Sequence, residues 1–304
     1  SFPTRRSSDY VPGDYATIAA AVVDLNTQGV GSGGVTFNVA AGYTESTTAD
    51  ITITATGTAG NSIVFQKSGV GANPLITRTD AGINATSTLG GLGDAIIRLD
   101  GTDYITFDGI DVTAADQGIE YGYLTHKPDG TNGCQFVTIK NSVVTMTKGT
   151  SGYVVGIYIG NGASTVSSAT GVTVTAASGI NSDITITGNT IQSVHAGIVS
   201  RGSVATGFSD NNVVIGQSGA GNVIQNFGGG NVSTTYAVYF IYVSNPSVAY
   251  NTINNEGGGG VAHGSTLYGI FFSSGITGNV VASNNAFTLA NISTSSATQY
   301  LYSS

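Results

Sequence analysis

The chain has 304 residues, of which only 9% are charged, with 45 glycines, one cysteine and a formal net charge of −8; globular proteins commonly carry about 25% charged residues. The nine Lys and Arg residues are scattered singly, which excludes the basic face a nucleic-acid partner needs. No apolar run reaches the roughly 18 residues that span a membrane, and Cys134, being alone, forms no intrachain disulfide.

Residues 1–9, Ser-Phe-Pro-Thr-Arg-Arg-Ser-Ser-Asp, resemble one reading frame of a sequencing adapter and are expected to be an artefact, not a basic targeting segment, since no apolar stretch follows. Residues 10–304 are then read as one domain. A helix is expected over about 14–27: Ile18, Ala21, Val22 and Leu25 fall at i, i+3, i+4 and i+7, with Asp14 as the expected N-cap and Gly29 just past the end. Gly33-Gly-Val-Thr-Phe-Asn-Val39 opens a β-region, continued by Ala41-Gly-Tyr-Thr-Glu45, Ile51-Thr-Ile-Thr54, Ile63-Val-Phe65 and Pro74-Leu-Ile-Thr77. Residues 79–93 read as a long loop. Residues 94–120 hold an acidic cluster, Asp94, Asp100, Asp103, Asp108, Asp111, Asp116 and Glu120, after which only Asp129, Asp183, Asp210 and Glu256 follow.

From about residue 95 two phrases alternate. The first places Ile97, Tyr123, Ile157, Ile198, Val238 and Ile270 in one column, at steps of 26, 34, 41, 40 and 32 residues, each preceded by Ile96, Gly122, Gly156, Gly197, Ala237 or Gly269. The second is a period-2 run that turns at Asn or Gly, as in Val137-Thr-Ile-Lys-Asn141 and Ile184 to Asn189, and recurs at Asn222, Asn251 and Asn285. Self-similarity at this period predicts a solenoid whose coils bury their inward side chains against the coils above and below. Uneven steps then measure loops that leave a constant core. Asn at the turns tolerates the left-handed conformation, and its amide can bond from coil to coil. The helix is the expected cap on the first coil's open end. No cap follows Gln299-Tyr-Leu-Tyr-Ser-Ser304, so a chain truncated at its C-terminus is expected.

The phrases YITFDGIDVT, FVTIKNSVVTM and ITITGNTIQSV resemble the coils of the right-handed parallel β-helices of the pectin-lyase-like superfamily, over roughly residues 14–300. The resemblance implies an all-β, single-stranded right-handed parallel β-helix. It implies little about activity, because that superfamily holds lyases, hydrolases, adhesins and tail spikes.

Several chemistries are open on this frame. Asp100, Asp103, Asp108 and Asp111 could converge as oxygen ligands for calcium, as such Asp residues do in the calcium-dependent pectate lyases of that superfamily, although Asp is also an ordinary turn residue and the spacing matches neither an EF-hand nor the Gly-rich nonapeptide calcium repeat. Calcium is the one cofactor this leaves open; otherwise none is expected. The polygalacturonase branch carries NTD, DD, GHG and RIK motifs for its paired carboxylates; here only Ala262-His263-Gly264 approaches one of them, and no two Asp residues are adjacent. His195 and Arg201 could serve a lyase as helper and base, or be plain polar residues at strand ends. Cys134 has no His nearby in sequence, and the Gly-rich runs lack a P-loop's Lys.

The last is a binding groove. If the Ile97 to Ile270 column points in, Arg98, Leu124, Tyr158, Val199, Tyr239 and Phe271 point out by the strand's period of two. Beside the small residues of the preceding column, Tyr158, Tyr239, Tyr242, Phe271 and Arg98 would form a shallow groove for sugar faces, unless loops fold over the column and bury it. The preferred reading is therefore a non-catalytic segment of a secreted or cell-surface bacterial protein, adhesin-like or carbohydrate-binding, monomeric within a larger chain, with a polysaccharide or cell-surface glycan as partner. The alternatives are a polysaccharide lyase or glycoside hydrolase acting on an acidic polysaccharide, and a structural stalk.

Overall fold

In the computed structural model, which describes residues 8–83, 88–149, 152–229, 234–291 and the backbone of 299–303, each coil lays down three short strands. The chain visits a first, a second and a third sheet in turn, as in Ile105–Asp108, Asp111–Ala114 and Tyr121–His126. Every pairing between strands is parallel and joins a strand to its equivalent one coil away, giving sheets of ten, eight and eight strands among the described residues. This is the parallel β-helix expected from the repeats, with α1, Ile18–Gln28, over its N-terminal end.

The predicted column is in register throughout. Tyr123 pairs with Ile97 and Ile157, Ile198 with Ile157 and Val238, and Val238 with Ile270. All six side chains are buried in the central core. Identical residues stack up the axis because each coil repeats the same position. Phe37 stacks on Phe65 at 4.4 Å and Phe65 on Phe107 at 5.4 Å, while Phe240 stacks on Phe272 at 5.5 Å. Each such pair contributes about 0.5–1.5 kcal/mol beyond its area burial. Tyr123 enters the same core with its hydroxyl satisfied, donating to the Ile110 carbonyl at 2.7 Å.

The small column has a different role from the one its position suggested. Gly122, Gly156 and Gly197 face the core and border no groove. A Cβ on Gly122 would meet Val144 Cγ1 at 2.6 Å, one on Gly156 would meet Ile191 Cγ2 at 2.3 Å, and one on Gly197 would meet Ile224 Cγ2 at 2.6 Å. From the strand Ala95–Asp100 to the strand Thr266–Phe272, two consecutive residues of each third-sheet strand turn inward. At Gly122, Gly156 and Gly197 the first is glycine, which lets Val144, Ile191 and Ile224 of the second sheet close against the backbone, whereas the strand Ala95–Asp100 fits Ile96 there.

The turn between the first and second sheets is held by an amide ladder. The backbone N–H and Nδ2 of Asn189 both donate to Asn222 Oδ1, at 3.0 Å each. Asn222 does the same to Asn251 at 3.0 and 2.9 Å, and Asn251 to Asn285 at 3.0 and 2.9 Å. The Asn222 and Asn251 amides each give a second Nδ2 bond to a carbonyl of the preceding coil, Ile186 at 2.8 Å and Ile215 at 2.9 Å. Asn189, Asn222 and Asn251 are buried, so these bonds replace water that cannot reach them.

The helix starts later than expected. Its N-cap is Thr17, whose side chain accepts from Ala20 N, whereas Asp14 accepts from Tyr10 N at 3.0 Å. Both Glu45 carboxylate oxygens accept the first helical amides, Ile18 N at 2.7 Å and Ala19 N at 3.0 Å. That bond pair places a negative charge on the positive end of the helix dipole. Ile18, Ala21, Val22 and Leu25 are buried against the first coils, and Gly29, at φ 71°, ends the helix through a bond to Leu25 O. Ser8 and Asp9, within the segment read as adapter-like, lie in strand Ser8–Val11, which pairs with the strand Val35–Ala40; residues 1–7 lie outside the described residues.

Candidate functional site

The outer face of the third sheet carries a second apolar cluster, separate from the core. Arg98, Leu124, Tyr158, Val199, Tyr239 and Phe271 follow one another in register on this face, as the alternation required. Earlier in the same strands, Tyr121, Val155, Ala196 and Tyr236 belong to the same cluster.

Two loops close the middle of the face. The segments around Gly90 and Ala169 meet there, Ala169 N donating to Gly90 O at 3.1 Å. A Cβ on Gly90 would come within 2.2 Å of the Tyr158 hydroxyl. Tyr158 is 1% exposed and Leu124 2%. Tyr158 is therefore a packing residue under a loop and not a surface contact, which corrects its place in the expected groove. Burial, the largest influence, pushes its hydroxyl up to about 12.

At the N-terminal end, Arg98 is not an open cation either. Its Nε donates to Asp50 Oδ2 at 2.6 Å, its NH2 to Gly93 O at 3.0 Å and its NH1 to His126 Nδ1 at 2.9 Å. Asp50 also binds Arg78, whose Nε reaches Asp80 at 2.7 Å and whose NH2 reaches Asp94 at 3.2 Å. Burial opposes the Arg78 cation, and Asp80, Asp50 and Asp94 more than offset it. Burial and the Arg98 charge push His126 down to about 3, so the imidazole is neutral and Nδ1 accepts. This network draws on positions 48 residues apart in sequence and carries no local motif; the only sign of it in sequence is that Asp50 and Arg78 interrupt otherwise uncharged β-runs.

Among the described residues, the C-terminal end stays open. Tyr236, Tyr268 and Phe271 are partly exposed and Tyr239 is 8% exposed. Their rings form one nearly parallel stack. Tyr236 lies 4.6 Å from Tyr239 and 5.2 Å from Tyr268, Tyr239 lies 5.4 Å from Phe271, and Tyr268 lies 4.5 Å from Phe271, with interplanar angles between 9° and 26°. Tyr239 and Phe271 were expected on this face; Tyr236 and Tyr268 were missed, because a bulge at Ala237 and Gly269 puts residues three apart on one side. Tyr242, at φ 55°, is partly buried beside the cluster, and a Cβ on Gly275 would meet its Cδ1 at 2.2 Å.

No carboxylate of the last coils joins this stack. Asp210 is fully buried and accepts Lys127 Nζ at 2.6 Å together with two bonds from Asn181 at 2.9 Å. Asp183 accepts Asn212 Nδ2 at 2.6 Å, and Glu256 sits in the turn after strand Thr252–Asn254.

The remaining candidates are spread out. Asp103 accepts Gln135 N at 2.7 Å, Asp108 accepts Asn141 Nδ2 at 2.7 Å, and Asp111 accepts Asn73 Nδ2 at 2.8 Å and Val143 N at 2.7 Å. Asp100 lies at the end of the third-sheet strand Ala95–Asp100, where burial raises its pKa. Each carboxylate serves its own turn. The described residues hold no group of three or more His, Cys, Asp or Glu side chains able to take a metal ion. His195 is buried, with Nδ1 accepting Val154 N at 3.0 Å and Nε2 donating to Gly149 O at 3.2 Å, and burial brings it down to about 4. His263 is likewise buried, accepting Gly229 N at 2.9 Å. Arg201 donates to Ala169 O at 3.4 Å and lies within hydrogen-bonding reach of the Tyr158 hydroxyl. Cys134 lies in the core, its thiol pushed up to about 12 by burial.

No family model matches the chain, and no curated protein matches it. Among solved structures, the chain is similar to an alginate lyase from Paenibacillus sp. str. FPU-7, at TM-score 0.48 and 14% identity over 97% of each chain. It is also similar to the Streptococcus pneumoniae surface protein and adhesin PfbA, at TM-score 0.31 and 13% identity over 97% of each chain. The catalytic domain of a GH87 α-1,3-glucanase follows at TM-score 0.20 and 14% identity, over 99% of this chain and 68% of that one. Among the described residues no helix is long and apolar enough to cross a membrane.

Proposed function

We propose that the chain is a non-catalytic segment of a secreted or cell-surface bacterial protein, and that it holds a polysaccharide against the open end of the third sheet. The observation that carries this reading is the stack of Tyr236, Tyr239, Tyr268 and Phe271, partly exposed on a face that is otherwise covered. Aromatic rings take the C–H faces of sugars, and Tyr hydroxyls supply hydrogen bonds at the rim. Hydrolysis needs two carboxyl groups roughly 6.5–9.5 Å or 5–5.5 Å apart across the bond, whereas Asp183, Asp210 and Glu256 are engaged or placed elsewhere. The net charge of −8 further disfavours an acidic chain as ligand.

Incubation with neutral and acidic polysaccharides, with and without calcium, tests it. The expected outcome is retention on a glycan with no new reducing ends and no absorbance from unsaturated uronates. Product from any substrate at enzyme-like rates would replace the binding reading with a lyase or hydrolase. Neither product nor retention would leave a stalk.

A further inference from the structure

A second surface lies on a different face, where the chain passes from the third sheet into the first. Tyr104, Phe136, Asp183, Asn212 and Asn245 share one register position near the start of successive first-sheet strands, and all have positive φ, between 51° and 55°. Asn and Asp tolerate that conformation, but Tyr and Phe rarely adopt it, and such backbone concentrates at functional sites. The two rings stack on each other at 4.3 Å and 14°, and Phe136 is 42% exposed.

One coil further along, the strip opens into a depression of about 390 Å³ lined by Ile180, Gly207, Ser209, Asn211, Ser244 and Thr277. Hydroxyls and an amide line it, with no cation among them. Asn211 uses its Oδ1 to accept from Asn245 Nδ2 at 2.9 Å, and among the described residues nothing takes its Nδ2. The Ser209 hydroxyl likewise has no partner among the described residues, while Ser244 Oγ and Thr277 Oγ1 share a 2.5 Å bond at the far wall. Asp183 stands between the aromatic pair and the depression, bonded to Asn212. Its charge disfavours an anion and offers an acceptor to a sugar hydroxyl. Coils repeat at about 4.8 Å, so ring, carboxylate and depression follow one another along a single line parallel to the axis.

We infer that this corner binds a neutral oligosaccharide, with one sugar on the Phe136 and Tyr104 rings and its neighbours in the Ser209, Asn211 and Ser244 depression. The test is calorimetric titration of the full chain with cellohexaose, maltohexaose and mannohexaose, using a hexauronate as charged control. At least one neutral hexasaccharide is expected to bind and the uronate is not. Phe136→Gly, which relieves the positive-φ backbone, and Ser209→Trp, which fills the depression from a partly exposed position, should each weaken binding by about tenfold. Both variants should retain the wild-type circular dichroism spectrum. Tyr268→Ala separates the two faces, because it should leave this site's affinity unchanged while weakening whatever binds the third sheet by about tenfold. Binding of no neutral hexasaccharide, preference for the uronate, or unchanged affinity in both corner variants would overturn the inference.

Discussion

Gly156 lies against Ile191 so closely that a Cβ on the glycine would sit 2.3 Å from Ile191 Cγ2 and 2.9 Å from Gly197 O. Ile191 is fully buried and cannot withdraw. Gly156→Ala is therefore expected to cost about 1–3 kcal/mol of stability, as overpacking in a closed core does, and Gly156→Ala with Ile191→Val should recover part of it. Chemical denaturation of the two variants checks this; an unchanged midpoint in Gly156→Ala would mean the column has room.

The amide ladder makes a second prediction. In Asn222→Ala, the Asn189 N–H loses its acceptor and Asn189 Nδ2 loses one of its two, keeping Ile139 O, while the Ile186 carbonyl loses its 2.8 Å side-chain donor and keeps Gly216 N. Buried polar groups left without partners cost about 1–3 kcal/mol each, so this variant should be among the most damaging single changes at a turn. Replacing the nearby exposed Asn212, whose amide bonds Asp183 at the surface, should cost far less. Equal losses in the two variants, read from thermal unfolding, would contradict the account.

The ladder and the inward column could be read directly from the residues because both repeat. Ile97, Tyr123 and Ile157 occupy one position in successive coils, and Asn189, Asn222 and Asn251 another, so a period seen in sequence becomes a contact in space. The second half of the site was hidden for the opposite reason. Tyr158 is buried by loops around Gly90 and Ala169 that occur once, and no repeat announces where they fold. Asp50 joins Arg78 and Arg98 across coils of unequal length. The small column was seen, but its direction was not: a bulge turns Gly122 and Tyr123 inward together, which simple alternation does not allow.

Protonation gives a third prediction. His195 is held neutral, lowered from 6.5 to about 4 by burial first, while Lys148 nearby acts in the same sense. A folded pKa below the unfolded one means that the unfolded chain binds the proton first. The contribution is fully present above about pH 6.5 and is lost as pH falls from there to about 4. His195→Gln should therefore unfold with a shallower pH dependence across that window than the wild type, whose His126 and His195 both contribute. Urea midpoints at about pH 7, 5.5 and 4 measure the difference; parallel curves for the two proteins would exclude His195 as a source.

The glycan reading rests on the open stack, and the most direct measurement is affinity electrophoresis of wild type, Tyr268→Ala and Tyr158→Ala in gels containing the retaining polysaccharide. Tyr268 is partly exposed in the stack and Tyr158 is covered. The account predicts that Tyr268→Ala loses retardation by roughly tenfold in apparent affinity, as the loss of one stacking ring implies. A Tyr158→Ala protein that is still folded should keep it. Full retardation of Tyr268→Ala, or loss confined to Tyr158→Ala, would contradict the assignment of binding to the open end of the third sheet.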